Sequence, residues 1–270
     1  MSNSLDLIIE PEQLSKLLPD SSLLIIDVSQ PALYQQIHIP DAVHISPGEL
    51  VRGTPPATGL LPDIAHLEKL FSRVGLNGDK HVVAYDDEGG GWAGRLLWTL
   101  EVLGHKRYSY LNGGIHAWYN EHYTVDSVVP EVTPTDFKAK TDFSQRALLD
   151  EVLSCIDDKN TVIWDARSAD EYHGTRQSAL RNGHIPGAVN IDWLLTMDRS
   201  KNLRLRPLEE LKAMLAQEGI TANKSIITHC QTHHRSGLTW LIARALGYPV
   251  RAYDGSWSEW GNRLDTPIET

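Results

Sequence analysis

The chain is written twice, and this duplication limits the folds that it can adopt. Four motifs of the first half return in the same order in the second half. The pairs are Leu24–Val28 and Val162–Ala166, His38–Val43 and His184–Val189, His81–Asp86 and Ser225–Cys230, and Leu111–Gly114 and Tyr253–Ser256. The offset of roughly 140 residues is far longer than the repeat of a solenoid. The sequence therefore predicts two copies of one domain.

Each copy alternates strand-like and helix-like segments. Short apolar, β-branched runs at 23–28, 82–85, 161–164 and 225–228 are typical of buried parallel strands. Segments such as Leu67–Val74 and Leu208–Leu215 have apolar residues at helical spacing. This alternation predicts an α/β fold, a parallel sheet with helices on both faces in each domain. Ligands of such sheets bind at the carboxyl ends of the strands.

The two copies are separated by a segment without a clear apolar period. Residues 127–146 contain Pro130 and Pro134 together with several threonines and aspartates. Such a composition is typical of a linker. We therefore expect a first domain over 1–126, a linker over 127–146 and a second domain over 147–270.

Cys230 is the strongest candidate for a reactive residue. It follows the strand-like run Ile226–His229 and precedes the helical segment Leu238–Leu246, which Gly247 closes. Unsatisfied N–H groups and the dipole at a helix N-terminus stabilise an anion there. A thiol in that position is expected to have a lowered pKa and to be a thiolate at neutral pH. Arg235, His233 and His234 could add positive potential.

The cysteines also have two less reactive interpretations. Cys155 lies in the helical run Leu149–Ile156 and is expected to be a buried apolar residue. A metal site of Cys230 with His229, His233 and His234 lacks the paired spacing of a zinc module. His229 should also point away from Cys230, because strand residues alternate, and is expected to pack beneath the loop. We expect no metal and no organic cofactor.

Two chemistries fit a Cys-x4-Arg loop between a strand and a helix. Tyrosine-phosphatase-type enzymes use His-Cys-x5-Arg followed by Ser or Thr, and His229–Ser236 matches this pattern except for one missing residue. The longer loop has room for a tetrahedral phosphate above the sulfur. The shorter loop is a tighter anion cradle, which suits one added sulfur atom. The pattern thus favours sulfur transfer and leaves a cysteine-dependent phosphatase as a remote alternative.

The motifs together resemble the rhodanese family of thiosulfate sulfurtransferases over essentially the whole chain. The resemblance rests on the two-domain layout and on four motifs, Asp165–Arg167, Gly183–Ala188, Cys230–Arg235 and Tyr253–Trp257. The Cys-Gln-Thr-His-His-Arg loop is similar to that of bacterial two-domain rhodaneses. The resemblance implies that Cys230 carries sulfur as a persulfide. It also implies that Gln231, Thr232, His233, His234, Arg235 and Ser236 bind the substrate, through the loop backbone and the Arg235 side chain.

The loop composition leaves the sulfur donor open. Mammalian rhodaneses carry Arg and Lys after the nucleophile, and mercaptopyruvate sulfurtransferases carry Gly-Ser-Gly, whereas this chain has Gln231–His234. We expect a small anionic donor, thiosulfate, with 3-mercaptopyruvate as the alternative. The acceptor is expected to be cyanide, a thiol or a protein. In the last case the chain would be a persulfide delivery module.

The first half is expected to be catalytically silent. At the position of Cys230 it has Asp86, which cannot carry sulfur, and Asp87 and Glu88 would repel an anion. The run Gly89–Gly94 satisfies the dinucleotide-binding pattern G-x-G-x-x-G, but three acids directly before it are wrong for a pyrophosphate. We expect the first half to supply packing and one wall of a cleft over Cys230.

The sequence constrains the roles of some further residues less closely. Trp193 is either a wall of the cleft or a core aromatic residue. The basic segment Arg199–Arg206 either steers anions or is a solvated loop. Asp27 and Asp165 are expected to cap local backbone turns. Trp118 and Trp260 are expected in the core.

Charge and cysteine content restrict the partners and the compartment. A net charge of −10 and a pI near 5.6 disfavour nucleic acid and anionic membranes as partners. Two cysteines cannot form a disulfide framework, which favours a reducing compartment. The chain has neither a recognisable signal peptide at its start nor an apolar run of the ~18 residues of a membrane helix. We expect a monomeric cytoplasmic protein.

Overall fold

The computed structural model describes residues 5–270, which form two compact units. The first unit contains the residues up to Leu50 together with Pro62–Asp142 and Asp198–Leu205, and the second contains Val51–Leu61, Phe143–Met197 and Arg206–Thr270. Each unit thus includes one short segment from the other half of the chain. The contiguous domains expected from the sequence did not include this exchange.

The first unit is built on a five-stranded sheet of order β1-β5-β4-β2-β3 with parallel pairings. A 3₁₀ turn at Pro47–Leu50 precedes the segment that joins the second unit. In chain order the elements are β1 Ile8–Ile9, α1 Pro11–Leu17, β2 Leu23–Asp27, α2 Pro31–Tyr34, β3 Val43–His44, α3 Ile64–Arg73, β4 His81–Tyr85, α4 Gly91–Val102, β5 Tyr108–Leu111 and α5 Gly114–Asn120.

The second unit repeats this topology with a parallel sheet of order β6-β12-β11-β7-β8. Strand β9 begins at Met197 in the second unit, whereas its Asp198 and the whole of β10 lie in the segment Asp198–Leu205, which belongs to the first unit. In chain order the elements are β6 Arg146–Ala147, α6 Leu149–Ser154, β7 Thr161–Asp165, α7 Ala169–Tyr172, β8 Val189–Asn190, β9 Met197–Asp198, β10 Arg204–Leu205, α8 Leu208–Gln217, β11 Ser225–His229, α9 Arg235–Ala245, β12 Val250–Tyr253 and α10 Ser256–Trp260.

The strand registers confirm the duplication residue by residue. In the first sheet Asp27 of β2 lies opposite Tyr85 of β4, and in the second Asp165 of β7 lies opposite His229 of β11. The residues that follow β4 and β11 are Asp86 and Cys230. Asp86 and Cys230 therefore occupy equivalent positions in the two units.

Both faces of each sheet are covered, as expected for parallel strands. All five residues of β4 are buried, and four of five in β11. Trp118 and Trp260 lie in the apolar cores of their units, which confirms their predicted role. The predicted α/β fold with two parallel sheets is confirmed. Among residues 5–270, no helix has both the length and the apolar character needed to cross a membrane.

Candidate active site

Cys230 lies where β11 ends and the loop to α9 begins, and its side chain is buried, with 1% exposed. Helix α9 begins at Arg235, three residues before the predicted Leu238. Arg235 and Ser236 therefore form the first turn of the helix. Their positions at its N-terminus direct both unsatisfied N–H groups and the helix dipole toward the loop.

The surroundings of Cys230 favour a thiolate. Burial raises the pKa of this thiol, but the charge of Arg235, two hydrogen bonds from Ser236 and the proximity of His234 outweigh it. Ser236 donates through both its hydroxyl and its backbone N–H. The pKa of Cys230 is consequently lowered from the ordinary value of a thiol. This direction is the one predicted from the sequence.

Arg235 is held in place by Glu171. Its two terminal nitrogens donate to the two carboxylate oxygens of Glu171 at 2.6 and 2.9 Å, a bidentate pair. Burial raises the pKa of Glu171, but the bonds from Arg235 and Ser168 hold that pKa below its ordinary value. Glu171 is thus a buried carboxylate that fixes the guanidinium beside the thiolate. This role is not recognisable from the sequence, because Ser168 and Glu171 have the spacing of an ordinary helix capping box.

The loop residues are fixed by their own side chains. His233 has a left-handed backbone with φ of 55°, and its Nδ1 lies 2.7 Å from the Ser236 hydroxyl. Gln231 donates from Nε2 to the carbonyl of Ser178 at 2.8 Å. The ring of Trp193 lies 5.5 Å from the ring of His234, edge to face. Trp193 is therefore both largely buried and in contact with the loop.

A second segment brackets the base of the loop. The N–H of Trp257 donates to the carbonyl of Cys230 and that of Ser258 to the carbonyl of Gln231, both at 2.9 Å. The hydroxyl of Ser256 accepts from the N–H of Cys230 at 3.3 Å. Ser256 has φ of 52°, an uncommon conformation for a residue other than glycine. The sequence motif around Tyr253 is therefore a clamp for Cys230, a role that the motif itself did not reveal.

A buried charged layer lies beneath the loop. His229, Asp165 and Arg167 are fully buried, and His229 Nε2 lies 3.7 Å from the Asp165 carboxylate. Asp165 accepts from the backbone N–H of Arg167, and Asp27 accepts from the N–H of Ser29. These bonds confirm the predicted turn caps. His229 is fully buried, as expected of a packing residue, and burial lowers its pKa.

The equivalent loop of the first unit is filled by its own side chain. The Asp86 carboxylate accepts from the N–H groups of Glu88, Gly89, Gly90 and Ala93 at 2.8–3.1 Å. Gly89 and Gly90 have φ of 94° and 104°, which turns these N–H groups inward. The cradle that would hold an external anion or a phosphate is therefore occupied by Asp86. Occupancy is a more direct reason for the expected silence than repulsion by neighbouring acids.

Replacing Asp86 by alanine is expected to destabilise the first unit by about 2–4 kcal/mol, because three buried N–H groups and the part-buried N–H of Glu88 lose their acceptor. Asp86→Asn, which keeps one carbonyl oxygen, should cost less. Asp79→Ala is the matched control, since Asp79 is exposed. Urea denaturation measures the difference. Equal stability of Asp86→Ala and the control would show that the carboxylate does not hold this loop.

The remaining predicted positions have other surroundings. Arg204 of the basic segment donates to Glu10 at 2.8 Å and pairs with Glu121 within the first unit. Its charge is thus locally compensated, which favours a structural role over anion steering. Cys155 packs against the core of the second unit but is half-buried, so the expectation of a buried residue holds only in part. Residues 5–270 hold no group of three or more His, Cys, Asp or Glu placed to bind a metal ion.

Comparison with known proteins identifies the family of this chain. The model of the rhodanese-like domain matches residues 10–121 and again 148–263. A thiosulfate sulfurtransferase of Azotobacter vinelandii is 46% identical over 98% of both chains. One of Pseudomonas aeruginosa is 44% identical over 99% of this chain and 98% of its own.

A solved structure gives the same result. SseA of Escherichia coli, described as a 3-mercaptopyruvate sulfotransferase with the rhodanese fold, is 27% identical. It superposes with a TM-score of 0.84 over 94% of this chain and 99% of its own. With a matching domain in each half and full-length relatives of high identity, the chain belongs to the rhodanese family.

Proposed function

We propose that this protein is a thiosulfate sulfurtransferase that works by double displacement through a persulfide on Cys230. The observation that carries the proposal is a buried thiol of lowered pKa at the N-terminus of α9, beside Arg235. Full-length relatives that are thiosulfate sulfurtransferases support the choice of donor. Cys230 is the nucleophile, and Gln231–Ser236 form the anion cradle.

In the first half-reaction the Cys230 thiolate attacks the outer, sulfane sulfur of thiosulfate. A bond forms between the two sulfurs, the sulfur–sulfur bond of thiosulfate breaks, and its electron pair leaves with sulfite. The product on the enzyme is a Cys230 persulfide anion. Loop N–H groups and the fixed charge of Arg235 stabilise the negative sulfur throughout, without reorganisation.

In the second half-reaction an acceptor attacks the outer sulfur of the persulfide. The bond between the two sulfurs breaks and its electron pair returns to Cys230, which restores the thiolate. Cyanide leaves as thiocyanate, and a thiol leaves as a persulfide. A protein thiol fits the same chemistry, so delivery of sulfur to a protein is an extension of the proposal. That the enzyme works as a monomer in the cytoplasm stays a prediction.

Thiosulfate is expected to be preferred over 3-mercaptopyruvate by at least about tenfold in kcat/KM. The carboxylate of 3-mercaptopyruvate needs a cation of its own, and Arg235 is already bound on both terminal nitrogens by Glu171. Steady-state kinetics with each donor and cyanide as acceptor measure the ratio. A higher kcat/KM for 3-mercaptopyruvate would show that 3-mercaptopyruvate is the preferred donor. The similarity to SseA is the reason to test this alternative.

A cysteine-dependent phosphatase remains the remote alternative. Only four residues separate Cys230 from Arg235, and the loop is one residue shorter than a phosphate cradle of that type. Hydrolysis of an aryl phosphate that is lost in Cys230→Ser would favour this alternative. We expect no such hydrolysis by the wild-type protein.

A further inference from the structure

The catalytic unit contains a strap from the first half of the chain, residues Val51–Leu61. The strap is a hairpin closed by two hydrogen bonds, from the N–H of Arg52 to the carbonyl of Leu60 at 2.7 Å and from the N–H of Gly53 to the carbonyl of Thr58 at 3.0 Å. These bonds hold the backbone of the strap in a defined hairpin conformation. The strap is therefore an ordered element of the catalytic unit.

The end of the strap is anchored beside the clamp of Cys230. The N–H of Leu61 donates to the Asp254 carboxylate at 2.7 Å. The other oxygen of Asp254 accepts from Arg146 at 2.9 Å, and Asp254 is fully buried. Asp254 lies two residues before Ser256, whose hydroxyl accepts from the N–H of Cys230. The strap and the catalytic loop thus share one support.

Gly59 brings the strap into contact with the loop itself. A Cβ added at Gly59 would lie 2.6 Å from the carbonyl carbon and 2.7 Å from the Cα of Thr232, and closest to the Thr232 oxygen. All three atoms are backbone, so no side-chain rotation relieves the overlap. Gly59 has no positive φ, so alanine is excluded by space and not by conformation. Two main chains therefore meet at this point.

We propose that Gly59 is a positioning residue for the persulfide loop, an inference that rests on the proposed function of Cys230. Thr232 is followed by His233, whose left-handed backbone turns the loop toward Ser236 and the sulfur. Displacement of Thr232 consequently changes where the loop N–H groups point. Contact with the bare backbone of Gly59 holds Thr232 in place, so the first half of the chain contributes to the geometry of the anion cradle.

Gly59→Ala tests the inference, with Gly48→Ala as the matched control. Gly48 is exposed, has no atom within 4 Å of an added Cβ and lies in the 3₁₀ turn before the strap. We expect Gly59→Ala to lower kcat/KM for thiosulfate about 100-fold, the size of effect that a small misplacement of catalytic groups produces. Gly48→Ala should keep the wild-type value.

The thiolate provides a readout that a general loss of packing would not move. Its ultraviolet absorbance, recorded against pH and corrected with Cys230→Ser, gives the pKa of Cys230. In Gly59→Ala this pKa should rise, because misdirected N–H groups stabilise the thiolate less. A Gly59→Ala protein that is folded by circular dichroism and has both wild-type turnover and wild-type pKa would overturn the inference. Absence of transfer in the wild type would instead refute the proposed function.

A second variant covers the case in which Gly59→Ala does not fold. Leu61→Pro removes the N–H that donates to the Asp254 carboxylate. Leu61 precedes Pro62, and a residue before proline favours an extended backbone, which is compatible with the fixed φ of proline. Release of the strap should lower kcat/KM about tenfold and raise the pKa of Cys230 in the same direction. A folded Leu61→Pro with wild-type values of both would overturn the inference independently.

Discussion

Cys230→Ser is expected to lower the rate of sulfur transfer from thiosulfate to cyanide to below about 10⁻⁴ of the wild-type rate. A hydroxyl at this position is not ionised at neutral pH, and it cannot form a persulfide. The fold should be unchanged, since serine is nearly the same size and the loop is held by backbone bonds from Trp257 and Ser258. Formation of thiocyanate measures the rate.

Cys155→Ser is the matched control for this experiment. It makes the same chemical change at the only other cysteine of the chain, which packs against the core of the same unit. We expect it to retain the wild-type rate, with at most a small loss of stability. A Cys230→Ser protein that still turns over thiosulfate, or a Cys155→Ser protein that does not, would contradict the assignment of the nucleophile.

Arg235→Ala is expected to have the second largest effect, a loss of about 10²- to 10³-fold in kcat/KM for thiosulfate. The charge of Arg235 is the strongest of the contacts that lower the pKa of Cys230. Without it, burial and the nearby Glu171 carboxylate both disfavour the thiolate, so the pKa rises. The rate of persulfide formation increases with pH through this pKa, and the rising limb should therefore move to higher pH. Stopped-flow loading rates across pH measure the shift.

Further variants of Arg235 and Glu171 separate the effect of the guanidinium charge from the effect of its position. Arg235→Ala leaves the Glu171 carboxylate buried without its partner, which costs about 3–5 kcal/mol of stability. The double variant Arg235→Ala/Glu171→Ala should recover part of this stability and part of the pKa. Arg235→Lys keeps a charge but loses the bidentate pair, and we expect intermediate activity. An unchanged pH profile in Arg235→Ala would show that the guanidinium does not stabilise the thiolate.

Most of the fold is predictable from the sequence because the strands of both copies have recognisable local apolar patterns. The four strand-like runs correspond to β2, β4, β7 and β11 within one residue at each end. Buried parallel strands are apolar on both faces, so they are visible without any knowledge of their partners. The exchange of Val51–Leu61 and Asp198–Leu205 between the units was not visible. It depends on contacts between residues distant in sequence, which composition and periodicity do not record.

Only the part of the candidate site that depends on local sequence is predictable from the sequence. Cys230 and its loop follow from a strand, a helix and the residues between them, all local features. The partners that tune the thiol come from elsewhere in the chain, Glu171 from α7 and Ser256 from the turn after β12. Helix α9 begins three residues before the predicted Leu238, because Arg235–Gly237 resembles a loop by composition. Gly59 had no signal at all, since a glycine required by a close backbone contact looks like any other turn glycine.

The central claim is that Cys230 carries the transferred sulfur, and the most direct measurement is mass spectrometry of trypsin fragments after brief treatment with thiosulfate and alkylation. Cleavage after Lys224 and Arg235 isolates Cys230 in the peptide Ser225–Arg235, and cleavage after Arg146 and Lys159 isolates Cys155 in Ala147–Lys159. We predict one added sulfur atom on the Cys230 peptide, which disappears when cyanide is added. No added sulfur there, or sulfur on the Cys155 peptide alone, would contradict the persulfide mechanism.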